Sequence, residues 1–515
     1  MAAAADENSE DFRHRFSCWV AAVRTHYLVL LAFTVIVYFP RLYLSYSVFF
    51  LAQTLRLIAR LAGVASGRPV ANRRILVITD YLPPQTHGIA IRTAAYVKAM
   101  RAHGHEVIVF STACETSKET SFDHPNIPAV VNPFNLTNRI GYNPGVKLAW
   151  YLGANTWDVV HLVYPSVIGC FVLTCCAWRR IPVYCSHHVE MQIFAHKHVK
   201  VKPIAEFGLF MYNLIGKWPA LRWGALNSAP TLCFAREHCG PEYEDRLRRI
   251  PSGTHDVFRP EPDSSTERRD VRLTRFGVDD ETTKVILMVQ RLSGEKGTDR
   301  IFPAFVAKEA GGCGVEGVLA IAGDGPSRAS LEEQARNLCL RAVFLGNVPH
   351  KDLPKLYRAA DSFVTMSLSE TFGLTSLEAV MCGCPAVMPF CEVFNEIWDE
   401  RLPKTWRYNI ESMDELASAI STATNGRRFL EEHPVRMTWT MAADELLEQY
   451  EECIQMNMKN RQWVREIVTF MDHCLRVAIC TVCATLILQR YYFPTLRRFG
   501  KLIEQSGLQG LLAPR

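Results

Sequence analysis

Two glutamates eight residues apart, Glu370 and Glu378, bracket Thr371-Phe372-Gly373-Leu374 and the first turns of an apolar helix-like run. A buried-type strand, Ser362–Met366, leads into them. Gly373 stands just before the helix start. The N–H groups of Gly373, Leu374 and Thr375 therefore lack partners within the helix and together form an anion site. Carboxylates are poor phosphate ligands, because like charges repel. Beside an anion site they serve better as acceptors for sugar and ribose hydroxyls on either side of a diphosphate. The plainer reading, two charges on an exposed helix start, leaves the apolar strand and helix around them unexplained.

Three further strand ends add to this set. Val285–Gln290 runs into Arg291-Leu292-Ser293-Gly294-Glu295-Lys296-Gly297. Two cations five residues apart on a glycine-containing loop can face one anion, Arg291 as a bidentate fork and Lys296 as a point charge. Val318–Ala322 ends in Gly323-Asp324-Gly325-Pro326, which by itself is a tight turn. Near the start of the chain, Arg73–Tyr81 is followed by a loop that reaches Gly88 at the beginning of a helix. A glycine there lets a ligand approach backbone N–H groups. Gly312-Cys313-Gly314-Val315-Glu316-Gly317 fits G-x-G-x-x-G but leads into a strand, whereas a dinucleotide fingerprint follows one.

Strands alternating with helices must place these loops. Glu106–Thr112, WDVVHLVYP, IPVYCSHH and TLCFA continue a first strand series. Val285–Gln290, Val318–Ala322, Val343–Leu345, Ser362–Met366 and Pro385–Pro389 form a second. Near-continuous apolar strands between helices imply parallel sheets covered on both faces. A polar stretch, Arg259–Lys284, separates the two series and is read as the domain boundary. The expectation is α/β architecture: two doubly wound Rossmann-like domains facing across a cleft. The domains are 73–258 and 259–455, the second carrying the cationic and carboxylate loops suited to a nucleotide-diphosphate sugar. Membrane-associating ends, 1–72 and 456–515, flank them.

The ends are apolar. Tyr27–Phe39 and Leu42–Leu55 are interrupted by Pro40 and Arg41, and each is shorter than the ~20 residues that cross a bilayer. A hairpin, a re-entrant segment or an in-plane anchor fits better than one clean span. Arg56, Arg60, Arg68, Arg73 and Arg74 follow and favour the cytoplasmic side of an anionic leaflet. Val477–Leu488 repeats the theme near the other end. Core helices of the soluble body, or a dimerisation surface, are the competing readings of both runs. The 515 residues are 49% hydrophobic and 21% charged, with a mean hydropathy of +0.01, which excludes a largely disordered chain and a polytopic transporter. A net charge of +5 over this length does not indicate a nucleic-acid protein. Seventeen cysteines, an odd number in a long chain, are read as mostly buried thiols in a cytosol-facing protein.

Taken together, SLSETFGLTSLEAVMCGCP resembles the E-x7-E signature of GT-B glycosyltransferases of family 4, which are retaining enzymes. RLSGEKG is similar to that family's phosphate-clamping loop, and GDGP and PSGTHDVFRP to its other landmarks. The resemblance covers roughly Arg73 to Cys453. It implies that Arg291 and Lys296 bind the donor diphosphate, that Glu370 contacts the donor sugar and that Glu378 holds the ribose hydroxyls. It also implies a cleft histidine after IPVYCS, aligned as His188 with His187 as the close alternative, that holds a donor-sugar hydroxyl and the acceptor rather than acting as a base. His188 and Glu370 are thus the catalytic candidates. Gly88, Arg291, Lys296, Gly373, Leu374, Thr375 and Glu378 are the donor-binding ones.

Two positions depart from the family pattern. His87 replaces the first glycine of the first domain's G-G pair, and Phe390-Cys391-Glu392-Val393-Phe394-Asn395-Glu396 replaces a glycine-rich loop that touches the donor sugar. Lipid-modifying members similar to sulfoquinovosyl-diacylglycerol synthases are the nearest in character, supported by the basic cluster His196–Lys202 ahead of an apolar stretch. No D-x-D triplet occurs, so no metal and no cofactor are expected beyond the nucleotide-diphosphate sugar itself, and cations with a helix end would take over the metal's charge. The implied activity is transfer of a hexose-type sugar to an acceptor, a lipid in the first instance, at a membrane surface with the catalytic domains facing the cytosol. A glycan acceptor, a nucleotide-sugar epimerase on the same frame and a non-catalytic membrane scaffold are the alternatives.

Overall fold

The computed structural model describes residues 39–61, 72–83, 88–112, 127–132, 135–141, 143–163, 167–188, 212–260, 265–368, 370 and 372–459, with isolated positions between 202 and 210. The apolar run at 27–38, the basic cluster at 196–201 and the run at 477–488 lie outside them. Two compact units divide the chain. One holds Met1–Thr93, Gly104–Asn227 and Tyr450–Arg515, and the other holds 94–103 and 228–449.

The first sheet contains β1 (Arg74–Thr79), β2 (Glu106–Ser111), β5 (Val159–Val163), β6 (Val183–Ser186), β7 (Leu226–Ala229) and β8 (Leu247–Arg249), in the order β2-β1-β5-β6-β7-β8. A two-stranded antiparallel ribbon, β3 (Ala129–Asn132) with β4 (Asn135–Gly141), stands apart from it. β1 pairs in parallel with both β2 and β5, and β5 with β6. Every residue of β5 and β6 is buried, which is why these strands read as unbroken apolar runs rather than as alternation.

The second sheet contains β9 (Val285–Val289), β10 (Val318–Ala322), β11 (Ala342–Gly346), β12 (Ser362–Val364), β13 (Ala386–Pro389) and β14 (Arg407–Tyr408), in the order β11-β10-β9-β12-β13-β14. The chain starts at β9, winds outward through β10 and β11, then returns to the other side of β9 with β12. The winding direction therefore reverses between β9 and β12, and at such a reversal the loops leaving the two strands diverge and open a crevice. The strand cores of β9 and β10 are fully buried in one hydrophobic cluster with Leu377, Val387, Phe394 and Trp398.

Two sequence expectations change. TLCFA is not a strand. The strand is LNSA (Leu226–Ala229), and Leu232–Cys239 is a helix whose N-cap, Thr231, accepts the Phe234 N–H through its hydroxyl. The polar stretch at 259–284 contains a helix, Ser265–Phe276, with Val271, Arg272 and Phe276 buried. Its charges are structural: Arg268 and Arg272 reach Asp361 at 2.8 and 2.9 Å, and Asp361 also accepts the Val285 N–H at 2.7 Å. The second apolar run, Leu42–Leu55, lies in a continuous helix, Phe39–Leu61, with Pro40 in its first turn, where a missing N–H costs little.

Among the described residues, that helix is held along one face. Leu42, Ser45, Phe49 and Ala52 are buried, whereas Tyr43, Leu44, Leu51, Leu55, Leu57, Ile58 and Leu61 are exposed. The buried face rests on the helix Gly145–Ala154. There Gly153 permits the approach, since a Cβ at that position would stand 2.6 Å from the Phe49 carbonyl oxygen. Tyr46 packs on Phe171 at 4.7 Å between ring centroids, and Phe50 meets the edge of the exposed Trp178.

Candidate active site

The loops leaving β9 and β12 meet at the reversal point of the second sheet. Lys296 ends a short 3-10 turn, Gly294–Lys296, and Gly297 follows at φ +58°, which turns the chain back. The Lys296 ammonium lies 2.5 Å from Glu370 Oε1, and both side chains are about four-fifths buried, at 22% and 21% exposure. Arg291, two residues past the end of β9, is exposed. The Gln290 side chain steadies the loop by donating to Thr298 Oγ1 at 2.8 Å.

The glycines of GDGP work by close approach. A Cβ at Gly323 would fall 1.9 Å from the Gln290 carbonyl oxygen, and one at Gly325 would fall 2.2 Å from that of Leu292. The bond from Leu292 N–H to the Asp324 carbonyl, at 3.0 Å, fastens the two loops together. The turn after β10 thus props the cationic loop after β9.

Three residues beyond Glu370, Gly373 caps the helix Leu374–Met381 at φ +82°. A side chain there would be strained by the backbone and would also strike Phe394, whose Cε1 would stand 2.5 Å from the added Cβ. Leu374 and Thr375 open the helix, so their N–H groups fall among the donors that a helix leaves unmatched, and its partial positive end lies beside the Lys296–Glu370 pair.

Glu378, buried one turn into that helix, is gripped at both oxygens. His350 Nε2 lies 2.8 Å from Oε1, and the Tyr357 hydroxyl donates to Oε2 at 3.2 Å. Burial, reinforced by this carboxylate, raises the Tyr357 hydroxyl far above its usual range and keeps it a donor. His350 follows β11 and packs on Phe258 and the edge of His255. Neither His350 nor Tyr357 was singled out by sequence. Only the rule that strand-end loops carry function pointed toward His350. Within the second unit, then, the structure gathers Lys296, Glu370, the Gly373–Thr375 start and Glu378 on neighbouring strand ends.

The residues 390–396 that depart from the family pattern form the start of the helix Glu392–Trp398. Phe394 is the side chain beneath Gly373. Glu396 accepts the Leu232 and Cys233 N–H groups at 2.6 and 2.8 Å, adding a second cap to the helix that Thr231 begins.

In the first unit, His187 and His188 leave the end of β6, both buried. His187 Nε2 meets Asn227 Oδ1 at 3.0 Å, and burial pushes its pKa down to about 4. His188 engages protein groups at both ring nitrogens, Arg92 Nη1 at 3.2 Å from Nδ1 and Ser186 Oγ at 2.9 Å from Nε2. Arg92 lies one turn into the helix Gly88–Ala102, which opens at the exposed Gly88. Arg92 and Ser186 carry no one-dimensional signature.

Two family models match the chain in succession, Glycosyltransferase Family 4 over residues 86–255 and Glycosyl transferases group 1 over residues 273–438. The chain is 25% identical over 370 residues to the alpha-monoglucosyldiacylglycerol synthase of Streptococcus pneumoniae, a match covering 70% of this chain and 80% of that one. It is 39% identical over 121 residues to the GDP-mannose-dependent alpha-(1-6)-phosphatidylinositol dimannoside mannosyltransferase of Mycobacterium tuberculosis, over 22% of this chain and 30% of the relative. Among solved structures, Anabaena HepE in complex with UDP-glucose superposes with a TM-score of 0.53 at 16% identity, over 74% of this chain and all of that one, a likeness of fold alone.

Proposed function

We propose, from the premise that this chain belongs to glycosyltransferase family 4, has the GT-B fold and is a nucleotide-sugar-dependent glycosyltransferase, that it moves a hexose to a lipid acceptor at a membrane surface, with retention at the anomeric carbon. The observation that carries the site assignment is the Lys296–Glu370 contact of 2.5 Å, three residues ahead of the Gly373 helix start. A cation, a hydroxyl acceptor and a helix's positive end meet at the point where a doubly wound sheet binds its ligand.

In this reading Arg291 and Lys296 neutralise the diphosphate together with the amides of Gly373, Leu374 and Thr375. Glu370 accepts from a donor-sugar hydroxyl. Glu378, already oriented by His350 and Tyr357, accepts from the ribose hydroxyls with its remaining lone pairs. As the bond from the anomeric carbon to the phosphate oxygen breaks, negative charge grows on the diphosphate, and these cations and dipoles stabilise it where it develops. The acceptor oxygen attacks from the same face and its proton leaves with the departing phosphate oxygen, which preserves the configuration.

The lipid acceptor is supported by the two relatives whose names specify a diacylglycerol and a phosphatidylinositol product or substrate. The membrane surface is supported by the helix Phe39–Leu61. It carries Arg41, Arg56 and Arg60 and no acidic residue, and its apolar outer face is exposed. With Leu42 to Ala52 docked on the body of the first unit, it lies along a headgroup layer rather than crossing the hydrocarbon core.

The test is a panel of UDP- and GDP-sugars incubated with the purified full chain and mixed lipids, with products read by mass spectrometry. One donor giving a glycolipid is the expected result. Nucleotide binding with glycan but no lipid products would refute the lipid acceptor. Conversion of the donor alone would favour an epimerase, and absence of nucleotide binding would end the site assignment.

A further inference from the structure

His188 heads a buried line of hydrogen bonds that runs back through the first sheet. Arg92 Nη1 is 3.2 Å from His188 Nδ1, and His188 Nε2 is 2.9 Å from Ser186 Oγ. Ser186 Oγ is 2.8 Å from His161 Nε2, and His161 Nδ1 is 2.7 Å from the Tyr450 hydroxyl. His161 faces inward from the middle of β5, Ser186 ends β6, and Tyr450 comes from the helix Trp439–Lys459. All five residues are buried.

The direction of each bond follows from what the groups can do. A guanidinium only donates, so Nδ1 of His188 is the acceptor and its ring proton sits on Nε2. That proton faces Ser186, whose oxygen therefore accepts it. The Ser186 hydroxyl hydrogen then turns to its other imidazole neighbour, Nε2 of His161. This leaves the His161 proton on Nδ1, aimed at the Tyr450 oxygen. Burial pushes the pKa of His161 down to about 3, in keeping with a ring that carries one proton. The bonds all point the same way, from Arg92 to Tyr450, and each polarises the next.

We infer that Ser186, His161 and Tyr450 are positioning residues that lock His188 as the Nε2–H tautomer and, through its Nδ1 lone pair, fix the Arg92 guanidinium at the start of the helix that follows the Gly88 loop. The inference rests on the glycosyl-transfer reading for its effect on turnover. A ring whose one lone pair is spent on a guanidinium takes no proton from an acceptor hydroxyl. Its contribution is geometric: it ties the helix Gly88–Ala102 to the end of β6.

The experiment uses the full chain labelled with 15N-histidine, the His188 signals being assigned by their loss in His188→Gln. At pH 7 the two-bond correlations should show a bare Nδ1 and a protonated Nε2. In Ser186→Ala and Arg92→Met the signals should move toward a tautomer mixture. Turnover with UDP-glucose and with GDP-mannose over mixed lipid vesicles should fall at least fivefold in kcat for Ser186→Ala. The donor KM should stay within twofold, and Ser186→Thr, which keeps the hydroxyl, should recover most of the loss. If Ser186→Ala does not fold, Tyr450→Phe removes only the terminal oxygen and should still alter the His188 signals. A proton on Nδ1 in the unaltered protein, or unchanged signals and kcat in Ser186→Ala and Tyr450→Phe, overturns the inference. If the unaltered chain turns over neither donor, the transfer reading fails on its own, and the nitrogen signals still decide the relay.

Discussion

Removing the charge of Lys296 and removing that of Glu370 should change nucleotide binding in opposite directions. Their contact is short, at 2.5 Å, and about four-fifths shielded from solvent, yet only one of the two groups suits an anion. Lys296→Met deletes a charge-assisted hydrogen bond to the diphosphate, which is worth about 1.5–3 kcal/mol. At about 1.4 kcal/mol per decade, that weakens nucleotide-diphosphate binding by roughly 10- to 150-fold. It also leaves Glu370 facing the anion without its cation, which pushes the loss toward the upper end. Glu370→Gln keeps the shape, removes a negative charge beside the anion site and releases the ammonium from its partner. Pairs shielded to this degree lie between exposed ones, at about 0–1 kcal/mol, and fully buried ones, at about 3–5 kcal/mol on breaking. A gain of about 1 kcal/mol is a reasonable net, so UDP or GDP should bind roughly fivefold tighter to Glu370→Gln. Turnover should nevertheless drop at least tenfold, because the hydroxyl acceptor for the sugar is gone. Isothermal titration with UDP and GDP, paired with initial rates, reads both. Equal weakening of the nucleotide by both substitutions, or full turnover in Glu370→Gln, would refute the division of labour between phosphate and sugar.

Gly373→Ala should cost about 1–2 kcal/mol through its left-handed backbone alone, with the Phe394 clash added. The melting temperature should fall, and nucleotide binding should fall with it. If Phe394→Leu in the same chain restores no stability, the clash is not its cause. Stability should also decline in mild acid. His161 and His187 have folded pKa values of about 3 and about 4, below the ordinary imidazole value of 6.5. Their contribution is complete above pH 6.5 and is lost as pH falls toward the folded values, at about 1.4 kcal/mol per pH unit for each ring. Urea unfolding at pH 7.0 and 5.5 should show this slope, and His161→Asn should remove about one proton's share; an unchanged slope would refute a neutral buried ring. Finally, Leu51→Ser, Leu55→Ser and Ile58→Ser together alter side chains that are 54%, 46% and 55% exposed, so folding should be unaffected. Co-sedimentation with vesicles containing anionic lipid should drop at least fivefold, and unchanged binding would move the membrane contact elsewhere on the chain.

Much of the second unit was legible because its signals are local. Apolar runs fixed most of the strands, and Gly373 marked a helix start within a few residues of both glutamates. The errors have local causes too. TLCFA has strand-like composition, but Thr231 caps a helix there and Glu396, 164 residues on, binds its first amides. The stretch 259–284 shows little apolar periodicity, and nothing in its spacing reveals that it holds a helix whose Arg268 and Arg272 converge on Asp361.

The sequence by itself determined which loops leave strand ends, which loops carry cations, carboxylates or free amides, and which family's pattern they resemble. Those properties depend on side-chain type and on backbone conformation over a few residues. Only the tertiary structure decided the partners: Lys296 with Glu370 across 74 residues, His350 and Tyr357 on Glu378, and Tyr450 behind His161 across 289 residues. Periodicity shows that a strand is buried but not which strand lies next to it. That choice comes from the packing of all the helices and strands at once, and it alone put the loops after β9 and β12 side by side.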